Sequence, residues 1–161
     1  AGIEIVPMFG CNSPYDSSEF DRVARVFNLY SSVVSQLTDT SGKSSKPVRI
    51  KSKPEQWMLW WAIEYIEENG LAIKDTNALY KLVQSLITRL SAASHAKFGK
   101  AMEEAEASGA PEPVESKYFH RGLNLPHQAN HRQQTKEKFV EAFEKALKTS
   151  TCVMMSYAAA K

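Results

Sequence analysis

The stretch KPEQWMLWWAIEYIEENG, residues 53–70, carries the start and stop signals of one complete helix. Pro54 stands where the first helical residue is expected, because the first turn has no internal partner for its backbone N–H. Gly70 stands where a left-handed residue commonly ends a helix. These signals predict a helix over residues 54–69.

Three tryptophans lie within five positions of this predicted helix, and they do not share one face. At about 100° per residue, an apolar side forms without Trp57 and Trp60, which fall beside the glutamates. The apolar side contains Met58, Leu59, Trp61, Ala62, Ile63, Tyr65 and Ile66. Either neighbouring loops cover the two outlying indoles, or these indoles form a contact surface, where tryptophan is enriched. We predict that Trp57 and Trp60 contact another subunit.

Length and composition indicate one domain. The chain has 161 residues, is 43% hydrophobic, and carries 20 Lys and Arg against 18 Asp and Glu, so any affinity for polyanions must come from local charge. Its two cysteines, Cys11 and Cys152, make neither a disulfide framework nor a four-ligand zinc site. The apolar stretches are too short for a membrane span, and AGIEIVPMF lacks the basic start of a signal peptide. We expect a soluble cytoplasmic protein with reduced thiols and no membrane contact.

Three further amphipathic segments predict helices. The first begins near Ser17 or Ser18, and we expect it to bury one apolar stripe. The third helix of the chain follows the N-cap residue Asp75, runs to Gly99 or on through KAMEEAEA, and ends at SGAPEP; the fourth covers residues 126–148. The stripe of the first helix consists of Phe20, Val23, Phe27, Tyr30, Val34 and Leu37. The predicted fold class is all-α, a single domain (1–161) with a helical bundle core at residues 17–148.

Short apolar, β-prone segments lie near both ends, IEIVPMF and TCVMMSY, and neither is long enough for a sheet of its own. Either each segment packs on its own helical core, or it reaches onto a neighbouring subunit and leaves an edge that only an assembly completes. We predict an N-terminal arm (1–16) and a C-terminal arm (149–161) that bridge subunits. The arm residues assigned to the subunit interface are Ile3, Ile5, Val6, Phe9, Val153, Met154 and Tyr157.

Two stretches of the chain contain cations and no acid, one between Asp39 and Glu55 and one between Glu115 and Glu137. Each leads into a proline-led helix start, where unpaired N–H groups and the helix dipole favour an anion. In the second stretch, Tyr118 offers a stacking face for unpaired bases beside these charges. The alternative is that both stretches are ordinary solvated loops. The residues predicted to bind RNA are Arg49, Lys51, Lys53, Lys117, Tyr118, Arg121 and Arg132.

Motifs typical of enzymes and metal sites are incomplete. HQANH has two histidines on one helical face, but Gln128 replaces the glutamate base of a zinc protease. A structural metal at His120, His127 and His131 is the alternative for this segment. SGKSS lacks the first glycine of a phosphate-binding loop, and SHAK lies in a predicted helix without a strained turn or an oxyanion site. We predict no enzymatic activity, no cofactor and no metal.

The segments MLWWAIEYIEENG and LVQSLITRLSAASHAKFGKAM resemble two core helices of the coat proteins of flexible filamentous plant RNA viruses. The resemblance covers residues 58–102 and rests on a tryptophan helix with an ENG turn and a later helix rich in serine and alanine. It implies an all-helical core, arms that bridge neighbours, and single-stranded RNA held in a groove by an arginine. In KYFHRG this arginine is Arg121, although the next acid is Glu137, so the family's downstream aspartate has no counterpart.

The expected function is that of a non-enzymatic structural protein that self-assembles and binds single-stranded RNA, a viral coat or nucleocapsid subunit of a helical filament. Its expected partners are single-stranded RNA and copies of itself, in the virion and the host cytoplasm. The near-neutral net charge suits subunits that stack in contact. The alternative is a helical protein–protein adaptor that uses Trp57 and Trp60 without nucleic acid, and a hydrolase on a helical scaffold comes third.

Overall fold

The computed structural model describes residues 17–39, 45–110 and 129–155. These residues form four helices and four short strands, and 76% of them are helical, which confirms the all-α class. The helices are α1 (Ser17–Gln36), α2 (Lys53–Glu68), α3 (Thr76–Ser108) and α4 (Ala129–Leu147). The strands are β1 (Thr38–Asp39), β2 (Lys46–Pro47), β3 (Leu71–Ile73) and β4 (Val153–Met155).

Helix α2 is central and packs against α1, α3 and α4. Its buried side chains are Met58, Leu59, Trp61, Ala62, Ile63 and Ile66. This is the side predicted from the helical wheel, with Tyr65 at its partly exposed edge. On α4, the rings of Phe139 and Phe143 stack with centroids 5.8 Å apart, and Trp61 contacts Phe139 at 6.4 Å. The apolar core therefore forms around the tryptophan helix.

The predicted start and stop signals operate at the ends of α2 and α3. Helix α2 begins at Lys53, one residue before the predicted start at Pro54, so Pro54 lies in its first turn. Gly70 follows the helix with a left-handed φ of 62°. The Asp75 side chain caps α3 by accepting a hydrogen bond from the backbone N–H of Ala78 at 2.9 Å. Gly109, with φ 64°, ends that helix. Short-range chemistry thus sets both helix lengths.

Helix α1 buries a different face from the one predicted. Val26, Val33 and Leu37 are buried, and Tyr30 and Val34 are partly buried. The buried face is rotated by roughly 70° from the predicted stripe at about 100° per residue. The first half of that stripe is exposed: Phe20 by 50%, Val23 by 48% and Phe27 by 58%. The prediction that these three side chains are buried is therefore wrong.

Ion pairs between helices accompany this rotation. On α1, Arg22 pairs with Glu68 of α2, and Arg25 Nε lies 2.8 Å from a Glu67 carboxylate oxygen. With the arginines facing α2, Val26 and Val33 are buried. Each partly exposed pair contributes at most about 1 kcal/mol, so the buried apolar side chains supply most of the stability of this packing.

The segment after α4 packs on its own chain. Strand β4 pairs antiparallel with β3, with Val153 opposite Ile73 and Met154 opposite Ala72. Two backbone N–H groups after β3 donate to the Cys152 carbonyl oxygen at 2.8 and 3.2 Å, and the Cys152 side chain is buried. A segment too short to form a sheet alone thus completes a ribbon with the residues that follow α2.

This pairing agrees with the alternative that the C-terminal segment packs on its own helical core, because Val153 and Met154 have strand partners within the chain. The assignment of these two residues to a subunit interface stays a prediction. Residues 1–16 and 156–161 of the predicted arms lie outside the described residues. They include Ile3, Ile5, Val6, Phe9 and Tyr157, whose assignment to an interface stays a prediction.

A short ribbon of β1 and β2 lies between α1 and α2 in the chain. Asn77 of α3 fixes it, because its side-chain oxygen accepts from the Thr38 backbone N–H at 3.1 Å and its side-chain nitrogen donates to the Thr38 hydroxyl at 3.3 Å. The Val48 backbone N–H donates to the Leu37 carbonyl oxygen at 3.0 Å. The ribbon therefore positions the basic run that follows it, which contains Arg49, Lys51 and Lys53, next to the first turn of α2.

Candidate nucleic-acid interface

An open groove of about 620 Å³ lies beside the first turns of α2, between that helix and α1. We call it the aromatic groove. Its lining residues are Tyr30, Lys53, Gln56, Trp57 and Trp60. Four of the five lie on α2 at spacings of three and four residues, so one side of that helix presents them together.

The two tryptophans outside the predicted core form walls of the aromatic groove. The Trp60 ring contacts the Tyr30 ring, with centroids 5.5 Å apart and planes tilted by 53°. The Trp57 ring contacts Trp61, with centroids 5.7 Å apart. Both indoles are partly buried, so neighbouring aromatic rings cover part of each and leave the rest in the groove. Burial raises the pKa of the Tyr30 hydroxyl, so this residue adds no negative charge at neutral pH.

Arg132 of α4 reaches the same place. Its guanidinium carbon lies 5.6 Å from the centroid of the Trp57 ring, which is a cation–π contact. Arg132 belongs to the second acid-free stretch, and Lys53, which lines the groove, belongs to the first. The fold therefore brings a cation from each predicted basic stretch to one aromatic surface.

The basic run before α2 alternates between core and solvent. Val48 and Ile50 are partly buried against the core, while Arg49 and Lys51 are exposed. The Gln56 side-chain nitrogen donates to the Ile50 carbonyl oxygen at 3.0 Å, which ties the run to the first turn of the helix. Anchoring of the apolar residues thus holds the intervening cations outward.

Within the described part of the chain, no hydrogen bond or ion pair joins the side chain of Arg49, Lys51 or Lys53 to another residue. The acid closest in sequence after the run is Glu55, and one of its carboxylate oxygens is hydrogen-bonded to α3. That oxygen accepts from the Tyr80 hydroxyl at 3.3 Å and from the Gln84 side-chain nitrogen at 3.0 Å. No described acid therefore neutralises any of the three cations.

Charge is divided along the outer side of α2. Its first half carries the groove, whereas its second half carries the acids Glu64, Glu67 and Glu68. These acids already have partners, since Lys136 of α4 lies 2.7 Å from a Glu64 oxygen and α1 supplies two arginines to the other acids. Lys136 is therefore an internal ion-pair partner, although it stands in the second acid-free stretch. An anionic ligand is attracted to the first half of the helix.

The predicted RNA-binding residues have three outcomes. Lys53 and Arg132 meet at the aromatic groove, and Arg49 and Lys51 lie exposed on the run that leads to it. The other three, Lys117, Tyr118 and Arg121, lie outside the described residues, and their role stays a prediction.

Sequence reasoning missed two groove residues, Tyr30 and Gln56. Tyr30 was assigned to the buried stripe of α1, and its contact with Trp60 depends on how α1 packs on α2. Gln56 lies on the wheel beside the two indoles, so its place in the groove could have been predicted from spacing alone. The tyrosine required knowledge of a neighbouring helix.

Among the described residues, no group of three or more His, Cys, Asp or Glu side chains is placed to hold a metal ion. The histidine segment HQANH is outside this test, because its side chains are not described. None of the described helices combines the length and the apolar character needed to cross a membrane. Comparison with protein-family models, curated proteins and solved structures finds no significant match.

Proposed function

We propose that this chain is a non-enzymatic, self-assembling protein that binds single-stranded RNA, a coat or nucleocapsid subunit of a helical viral filament. Under this proposal it resides in the virion and the host cytoplasm, and its partners are RNA and copies of itself. The observation that carries the proposal is the run of exposed cations, Arg49, Lys51 and Lys53, ending at the aromatic groove.

Cations and aromatic rings have complementary roles in such a site. Lysine and arginine bind phosphates without regard to sequence and release counterions, while aromatic faces accept unpaired bases. Bases in a duplex are stacked on one another, so an aromatic surface beside cations favours a single strand. The whole chain carries a formal charge of only +2, so its attraction for RNA is expected at this surface rather than over the whole molecule.

Self-assembly is supported by the exposed apolar face of α1. Phe20, Val23 and Phe27 are each about half exposed and lie on one side of the helix. Contiguous exposed apolar side chains of this kind are typical of protein contact surfaces. Trp57 and Trp60 line the aromatic groove, where they could bind a ligand instead of another subunit. The exposed α1 face therefore supports association more strongly than the two tryptophans do.

The same α1 face also favours the second candidate, a helical adaptor that binds another protein and no nucleic acid. The two functions differ in whether nucleic acid is bound to the purified protein. The test is the ratio of absorbance at 260 nm to that at 280 nm, before and after nuclease, with the particle size followed by light scattering.

A coat subunit is expected to purify as a large particle with a high absorbance ratio, and nuclease should lower the ratio. Added single-stranded RNA should restore the large particle after the nuclease is removed. A ratio that nuclease leaves unchanged, with no change in particle size on adding RNA, would favour the adaptor and contradict the proposal.

A further inference from the structure

The aromatic groove combines features that simple phosphate binding does not need. It contains three aromatic rings, from Tyr30, Trp57 and Trp60, and its volume of about 620 Å³ lies in the range of small-molecule pockets. Neither groove indole donates its N–H to another described residue. A cation alone would hold a phosphate at the protein surface, so the rings point to a ligand that also has a planar part.

Charge narrows the identity of that ligand. An ammonium ligand would suit aromatic rings, but Lys53 lines the groove and Arg132 lies over Trp57, so both would repel it. An apolar peptide would cover Lys53, whose side chain has no ion-pair partner among the described residues, without neutralising it, which is costly. A planar ring that carries an anionic backbone satisfies both the rings and the cations, and this is the chemistry of a nucleotide.

Spacing along α2 places the parts of such a ligand. Lys53, Trp57 and Trp60 stand at i, i+4 and i+7, so they share one side of the helix. A rise of about 1.5 Å per residue puts Lys53 roughly 10 Å along the axis from Trp60, within the combined reach of a lysine side chain and one nucleotide. Because Arg132 already occupies a face of Trp57, Trp60 is the better platform for a base.

We propose that the aromatic groove takes one unpaired nucleobase of the bound RNA, stacked on Trp60, with the adjoining phosphate at Lys53. This inference rests on the proposed function and deepens it, because it separates base stacking from binding of the backbone. Stacking on an aromatic side chain tolerates any base, so the groove adds affinity for single strands without sequence preference.

The test uses two single-stranded oligomers of equal length and charge, oligouridylate and an abasic ribose phosphate chain. The wild-type protein should bind oligouridylate about tenfold more tightly than the abasic chain. Oligouridylate should also quench part of the tryptophan fluorescence, and the abasic chain should not. Trp61 is only 5% exposed and provides an unquenched internal background.

Substitutions test whether Trp60 is the residue on which the base stacks. Trp60→Leu should weaken oligouridylate binding about tenfold and leave abasic binding unchanged, and Trp60→Phe should recover most of the loss. The matched control is Tyr65→Leu, which alters a partly buried aromatic residue of the same helix outside the groove and should change neither affinity. Because quenching is measured on the unmodified protein, the test does not depend on the folding of any variant.

The possible failures are distinguishable. Wild-type protein that binds neither oligomer would overturn this inference together with the proposed function. Equal binding of both oligomers without quenching would overturn the inference and leave backbone binding intact. If Trp60→Leu changed the particle size but not the affinity for oligouridylate, the groove would be a protein contact, which also overturns it.

Discussion

The guanidinium of Arg132 lies over the Trp57 ring, 5.6 Å from its centroid, and joins α4 to the outer side of α2. This contact brings the second basic stretch to the groove that Lys53 of the first stretch also lines. Residues far apart in sequence therefore contribute to one surface of aromatic rings and cations. The stability of that surface depends on the packing of α1 and α4 on α2.

A pair of phenylalanine substitutions tests this packing. Phe139 is fully buried and stacks on Phe143, so Phe139→Ala should lower the free energy of unfolding by about 3–5 kcal/mol. Phe27 is 58% exposed, so Phe27→Ala should change it by no more than about 0.5 kcal/mol. Urea denaturation followed by circular dichroism measures both values. Equal losses in the two variants would mean that the face assigned to α1 is incorrect.

Two glycines should respond to alanine in opposite directions. Gly70 has a left-handed φ of 62°, so Gly70→Ala should destabilise the protein by about 1–2 kcal/mol. Gly99 lies inside α3, and a Cβ there would meet nothing within 4 Å, so Gly99→Ala should stabilise by about 0.5–1 kcal/mol. Thermal melts of both variants provide the measurement. A stabilising Gly70→Ala would contradict the helix end described for α2.

Truncation of the C-terminus tests the β3–β4 ribbon. Removal of residues 150–161 deletes β4 and the buried Cys152, and it should cost roughly 2 kcal/mol or more of stability. Removal of residues 156–161 keeps β4 and serves as the control. Equal melting temperatures for the two truncated proteins would show that the ribbon does not stabilise the core.

Much of the fold could be predicted because its signals are local. Pro54 and Gly70 mark the ends of α2 to within one residue, and Asp75 caps α3 as its side-chain chemistry predicts. The position of Trp57 and Trp60 outside the core follows from the 3.6-residue period of a helix. Each of these predictions needed only residues within a few turns of one another.

The remaining features depend on contacts between elements distant in sequence. The apolar residues of α1 cover a broad arc, so the sequence allows more than one buried face. In the structure the side with Val26 is buried and the side with Phe27 is exposed, and Arg25 pairs with Glu67 of α2. The partner strand of Val153 lies on the far side of α3 in the sequence. The contact of Tyr30 with Trp60 likewise requires two packed helices. The spacing of hydrophobic residues along the sequence does not specify which distant elements contact each other.

Alkaline pH should lower the free energy of unfolding, partly through ionisation of the Tyr80 hydroxyl. Burial, with a smaller contribution from Glu55, raises the pKa of this phenol above its ordinary value of 10.0. The folded state then keeps the proton to higher pH than the unfolded state, so this stability is complete below pH 10.0 and is lost as pH rises through the folded pKa. Tyr80→Phe removes the titration, so its unfolding free energy should fall less steeply above about pH 10. Parallel curves for variant and wild type in urea titrations across this range would refute the assignment.

Binding of the RNA backbone by Arg49, Lys51 and Lys53 is tested most directly by a salt titration. The three residues are changed together to alanine, and the control is Arg22→Ala, which removes a cation already paired with Glu68. Affinity for single-stranded RNA is measured by filter binding over a series of salt concentrations. Each phosphate contact contributes about 0.7 to the slope of log affinity against log salt for a single strand.

The triple variant should bind more weakly than wild type, with a slope shallower by about 2, while Arg22→Ala should match the wild-type slope. Circular dichroism should show equal helix content in all three proteins. Identical affinity and identical salt slope for the triple variant and the wild type would contradict the assignment of RNA binding to this surface.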